Sequence, residues 1–143
     1  MRCCTFFGHR DYRNERDDDL KKAIEHVITH HQVTEFYVGH QGNFDAAVCR
    51  ILKELQKTYP HIRYCVVLAY IPTTSSTKAI TQQQPTILPE GAETVLPKFA
   101  ILHRNRWMIE RSDYVIAYIT HSYGGAAQCV QLAQTKNKTV TLL

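Results

Sequence analysis

Three short segments concentrate residues able to hold a charged ligand: "FGHRD" with Gly8, His9, Arg10 and Asp11, "VGHQGNFD" with Gly39, His40, Gln41, Gly42 and Asp45, and "THSYGGAAQ" with His121, Ser122, Gly124 and Gly125. Five of the six glycines lie in them, so the backbone there can approach something closely. A Gly-Gly turn between an apolar run and a helical segment leaves N–H groups uncovered. Such groups, with the helix dipole behind them, cradle anions such as phosphate. The competing reading is a tight strand-to-helix turn with no ligand. Neither G-x-G-x-x-G nor a P-loop lysine is present, so an ordinary dinucleotide or ATP site is not expected and no cofactor is assigned.

A fourth segment, "HRNRWMIERSD", supplies Arg104, Asn105 and Arg106. Arginine keeps its charge and grips phosphate or carboxylate as a bidentate fork. Trp107 fits a core position better than a base-stacking one. His9, His40 and His121 fall at one edge. They lack local ligand spacing, so hydrogen-bonding histidines in a polar cleft are expected and no metal is assigned. Asp45 and Glu110 are the carboxylates considered for catalysis.

These segments need a frame. Residues 2–7 ("RCCTFF"), 34–39 ("TEFYVG"), 62–70 ("IRYCVVLAY"), 113–120 ("DYVIAYIT") and 138–143 ("KTVTLL") read as strands. Between the first two, Leu20, Ile24, Val27 and Ile28 mark a helix, with Asn14 as its expected N-cap and Asp17 in the box position. Phe44, Val48, Ile51, Leu52 and Leu55 mark the clearest helix, closed by Pro60. Segments 98–112 and 124–136 read as two more. The Pro- and Thr-containing stretch at 71–97 is long for a connection and reads as a flexible flap.

Strands alternating with helices predict an α/β Rossmann-like three-layer sandwich: a five-stranded, mostly parallel sheet in the order 3-2-1-4-5. In such a sheet ligands lie beyond the C-terminal strand ends, where the glycine segments fall. The 143 residues fit one domain, with no internal repeat and no linker. Hydrophobic residues at 44% and charged residues at 21% are globular values, and the net charge of +4 permits an anionic partner without demanding one. The apolar N-terminal run is too short for a signal segment, and no window reaches a membrane span. Five cysteines without a C-x-x-C pair read as reduced core residues, which predicts a cytoplasmic protein.

Taken in order, "CTFFGHRD", "FYVGHQGNFDAAV", "YPHIRYCVVLAY", "LHRNRWMIERSDYVIAYITHSYGGAAQ" and "KTVTLL" resemble a family of small bacterial Rossmann-like proteins. That family belongs to the SLOG superfamily, named for DNA-processing protein A and Lonely Guy. The resemblance implies nucleotide-derived ligands at the strand ends and a homodimer. It places Gly8, His9, Arg10, Gly39, Gln41, Gly42, Asp45, Arg104, Asn105, Gly124 and Gly125 around the pocket. Lonely Guy-type members release a base from nucleoside monophosphates with a glutamate in P-G-G-x-G-T-x-x-E. Here the run is "SYGGAAQCV", with Gln128 roughly where the carboxylate belongs, and glutamine is neither an anion nor a base at neutral pH.

The expected function is therefore binding or sensing of a nucleotide-derived ligand, a nucleoside phosphate or ADP-ribose-like molecule. One alternative is an N-glycosidase of the phosphoribohydrolase type, with Asp45 or Glu110 replacing the missing acid. The other is a single-stranded DNA binder. Nucleic acid is the less expected partner, because "HRNRWM" is too short to line a basic groove with interleaved aromatics.

Overall fold

The computed structural model describes residues 2–40, 42–70 and 85–143. Its strands are β1 (Arg2–Phe7), β2 (Val33–Val38), β3 (Arg63–Val67), β4 (Thr86–Ile87), β5 (Tyr114–Ala117) and β6 (Thr139–Leu142), and its helices are α1 (Asp17–His31), α2 (Asn43–Thr58), α3 (Ala100–Arg111) and α4 (Gly125–Thr135). The sheet order is β4-β3-β2-β1-β5-β6, and each neighbouring pair is parallel. This is the Rossmann-like α/β frame, with the five expected strands in their expected order.

The sheet has six strands rather than five. The extra one, β4, lies within the stretch read as a flap, where Val66↔Thr86 and Val67↔Ile87 pair. In the second half of that stretch Ala92–Thr94 and Pro97–Phe99 form two 3₁₀ turns leading into α3. Residues 71–84, the first part of that stretch, lie outside the described residues.

Each face of the sheet carries helices because each helix has one apolar stripe. Leu20, Ile24, Phe44, Val48 and Leu52 close one face over Cys4, Phe6, Phe36 and Val38. Met108, Ile109, Val130 and Ala133 close the other over Phe7, Val67, Val115 and Ala117. Each such aliphatic or aromatic side chain contributes about 1.5–3 kcal/mol of transfer free energy. The edge strand β6, by contrast, alternates threonine with apolar residues and is largely exposed.

The expected N-cap is also corrected. α1 begins after Arg16, and Asn14 sits in the left-handed region at φ 65°. Tyr12 takes over the local bonding. Its hydroxyl accepts the Arg16 N–H at 3.1 Å and donates to Asp17 Oδ1 at 2.7 Å. Arg50 Nη2 then joins α2 to this corner through Asp17 Oδ2 at 2.9 Å. No helix among the described residues is long and apolar enough to cross a membrane.

Candidate functional site

The loops after β1, β2 and β5 meet beyond the C-terminal strand ends. Gly42 has φ +115°, and a Cβ there would stand 2.6 Å from the Arg10 Cα. The missing side chain lets the start of α2 lie against the β1 loop, and the Asn43 N–H donates to the Arg10 carbonyl at 3.0 Å. The Phe44 ring fills the space beside Gly8.

Gly8, His9, Arg10, Gly39, Asp45, Arg104, Asn105, His121, Gly124 and Gly125 all line one cavity of about 320 Å³. Arg104 is its most unusual wall, a cation only 3% exposed. Its Nε donates to Asn105 Oδ1 at 2.7 Å and its Nη1 to the Val67 carbonyl at 3.3 Å. Burial pulls the guanidinium pKa down, and the Asp45 carboxylate is the largest influence holding it up. The two side chains come together over Gly39, where a Cβ would stand 2.8 Å from Asp45 Oδ2 and 3.0 Å from Arg104 Nη1.

A second positively polarised feature lies at Gly124 and Gly125. Gly124 is the residue before α4, at φ +93°, and no described side chain caps the helix. A Cβ on Gly125 would meet nothing within 4 Å. The N-terminal N–H groups of α4 thus begin at an open cavity wall, the geometry that receives an anion.

The histidines divide into two environments. His9 and His121 stack at 4.2 Å with 28° between planes, and His121 stacks in turn on Tyr123 at 4.0 Å and 19°. The Thr120 N–H donates to His9 Nε2 at 2.9 Å, and burial, followed by the neighbouring His121, lowers the His9 pKa. His40 stands apart. Its Nε2 accepts the Ala69 N–H at 3.4 Å, and burial, with Arg104 second, lowers its pKa to about 4. No group of three or more His, Cys, Asp or Glu among the described residues is placed to hold a metal ion. The cysteines are free, and burial pushes the thiols of Cys49 and Cys65 up to about 12 and of Cys129 to about 11. At neutral pH they are thiols, poor nucleophiles.

Other residues singled out from sequence fall elsewhere. Gly42 lines a second cavity of about 350 Å³ between α2 and β3, which shares Gly39 and Asp45 with the first. Gln41 lies outside the described residues. Ser122 is exposed and off the cavity wall. Glu110 is at the far end of α3, away from the strand C-termini, and faces Lys136 Nζ at 3.6 Å in solvent. It cannot reach a ligand among the glycine loops, because α3 runs antiparallel to the strands. Gln128 points outward into the groove between α3 and α4. Met108 is buried, and Trp107 packs edge-on against Tyr37 at 5.3 Å. Sequence reading passed over Ile101 and Met108 as cavity residues. Their signal was the spacing 101, 104, 105, 108, one face of a helix.

No protein-family model matches the chain, and no curated protein matches it. A likeness does exist to a solved structure, DNA processing protein A (DprA) from Streptococcus pneumoniae. It has a TM-score of 0.75 at 14% sequence identity, covering 99% of this chain and 50% of that one. The chain thus spans half the length of that protein and shares its fold.

Proposed function

We propose that the cavity binds the phosphate-bearing part of a nucleotide-derived ligand, a nucleoside phosphate or an ADP-ribose-like molecule, and that the protein acts as a binding or sensing domain within the SLOG superfamily. One observation carries this reading: a buried arginine and an uncapped Gly-Gly helix start line the same cavity. Two anion-binding devices of different kind serve one small volume, and the loops of three parallel strands build it. In this reading the whole chain works as one domain.

Cleavage of the ligand has weaker support. A glycosidase needs a carboxylate placed at the sugar. Asp45 is the acid on the cavity wall, but its charge is engaged with Arg104. A second reading, single-stranded DNA binding, draws on the fold shared with DNA processing protein A. The reading also includes a homodimer, for which Leu96, Phe99 and Leu102 offer exposed apolar surface at the start of α3.

Isothermal titration with nucleoside mono- and diphosphates and ADP-ribose, beside a fluorescent single-stranded oligonucleotide, tests the assignment. Saturable binding of the small molecules that weakens on Arg10→Ala is the expected result. Binding of the oligonucleotide alone would transfer the assignment to DNA. Free-base release from the monophosphates would make the protein an enzyme.

A further inference from the structure

We infer that Tyr123 is a stacking platform for the nucleobase of the ligand, so that the site takes a nucleotide whose base lies outside the phosphate cavity. This deepens the reading above and rests on it. The observation is a column of three rings, His9 on His121 on Tyr123, at centroid distances of 4.2 and 4.0 Å. The outermost ring is 72% exposed, although a tyrosine gains by burial. One face is covered by His121, and the other opens to solvent.

The column is fixed before any ligand arrives. Only a donor can face a carbonyl, so His121 Nδ1–H donates to the Tyr123 carbonyl at 2.7 Å. His9 Nε2 accepts the Thr120 N–H, which requires an unprotonated nitrogen there. The lowered His9 pKa agrees with an uncharged, stackable His9 ring at neutral pH. A platform already ordered spends little conformational entropy on binding.

Its position matches one ligand class. Two peptide units separate Tyr123 from Gly125, a span of about 7 Å at most along the chain. His121 ties the ring to the open start of α4: a Cβ on Gly124 would stand 3.6 Å from His121 Cε1, and Tyr123 stacks on that ring at 4.0 Å. A base on Tyr123 with its phosphate at Gly125 is a nucleoside monophosphate, or the corresponding half of a larger nucleotide. Nothing about a bare ring reads a base edge, so purines and pyrimidines both stack, purines more strongly.

The test compares adenosine monophosphate with ribose 5-phosphate by isothermal titration, on the wild type, Tyr123→Ala and Tyr123→Phe. The wild type is expected to bind the nucleotide about 5- to 150-fold more tightly, the contribution of one stacked base. Tyr123→Ala should remove that advantage and leave ribose 5-phosphate unchanged, while Tyr123→Phe keeps it. Equal binding of the two ligands by the wild type would overturn the platform and leave the phosphate site standing. So would an equal loss for both in Tyr123→Ala. Absence of binding by either ligand would bring down the nucleotide reading itself, and the platform with it.

Discussion

Asp45 and Arg104 meet over Gly39. The carboxylate comes from the first turn of α2 and the guanidinium from the middle of α3, on opposite faces of the sheet, and the glycine between them marks the end of β2. An arginine 3% exposed is tolerated because this carboxylate and the Val67 carbonyl face it. Asp45→Asn should therefore destabilise the fold by about 1–2 kcal/mol, less than breaking a fully buried ion pair, since Asp45 is only half-buried. Urea denaturation measures this, and adding Arg104→Met should restore part of the loss. A change below about 0.5 kcal/mol would mean that the aspartate is not the counter-charge. Loss of any activity in Asp45→Asn must be read beside this folding effect.

Two glycines should respond oppositely to alanine. At Gly39 a Cβ would stand 2.8 to 3.1 Å from the atoms of that pair, so Gly39→Ala should cost about 1–3 kcal/mol by overpacking. At Gly125 a Cβ has open space, and the residue begins a helix. Gly125→Ala should leave stability unchanged or slightly raised, yet weaken phosphate-bearing ligands by narrowing the cradle. Thermal unfolding and titration calorimetry on both variants separate the effects. A ligand affinity unchanged in Gly125→Ala would place the anion elsewhere.

His40 makes stability depend on pH in a defined window. Its folded pKa is about 4 against an ordinary 6.5, so between those values the unfolded chain binds more protons. Stability then rises with pH through this window. The contribution is complete above about pH 6.5 and is lost as pH falls toward 4. Protonation would also cost the acceptor that Nε2 offers to the Ala69 N–H. Denaturation midpoints at intervals from pH 4 to 7 should slope less steeply in His40→Gln than in the wild type. An NMR titration of the His40 ring with a midpoint near 6.5 would contradict the assignment.

The frame was legible because its strands and helices carry their own patterns. Phe44, Val48, Ile51, Leu52 and Leu55 announce α2 by spacing alone, and all are buried. β4 could not be read this way. It is two residues long, and what makes Thr86 and Ile87 a strand is their pairing with Val66 and Val67. The start of α1 was misread because Asn14 has a good capping side chain, while the bonding comes from Tyr12, outside any capping motif. At the site, strand ends predicted which loops would gather. They could not show that Arg104 would be buried against Asp45 or that His9, His121 and Tyr123 would stack, because both depend on side chains from separate segments of the chain meeting in one rotamer each.

The two cavity arginines should divide their labour. Arg104 is locked into the wall by Asn105 Oδ1, the Val67 carbonyl and Asp45, whereas Arg10 lines the same cavity from an exposed loop position. Removing an exposed side chain usually moves stability by no more than about 0.5 kcal/mol. Arg10→Ala should therefore move the urea midpoint far less than Arg104→Ala and still weaken a phosphate-bearing ligand by about 1.5–3 kcal/mol, the contribution of one charged hydrogen bond. The loss should shrink as salt is raised, since a charge at the mouth is screened more than one in the wall. Arg104→Ala should do both kinds of damage, because it strips the wall and removes the charge that faces Asp45. Paired urea and calorimetric titrations at low and high salt distinguish these patterns. An Arg10→Ala protein with unaltered affinity would confine anion recognition to Arg104 and the start of α4.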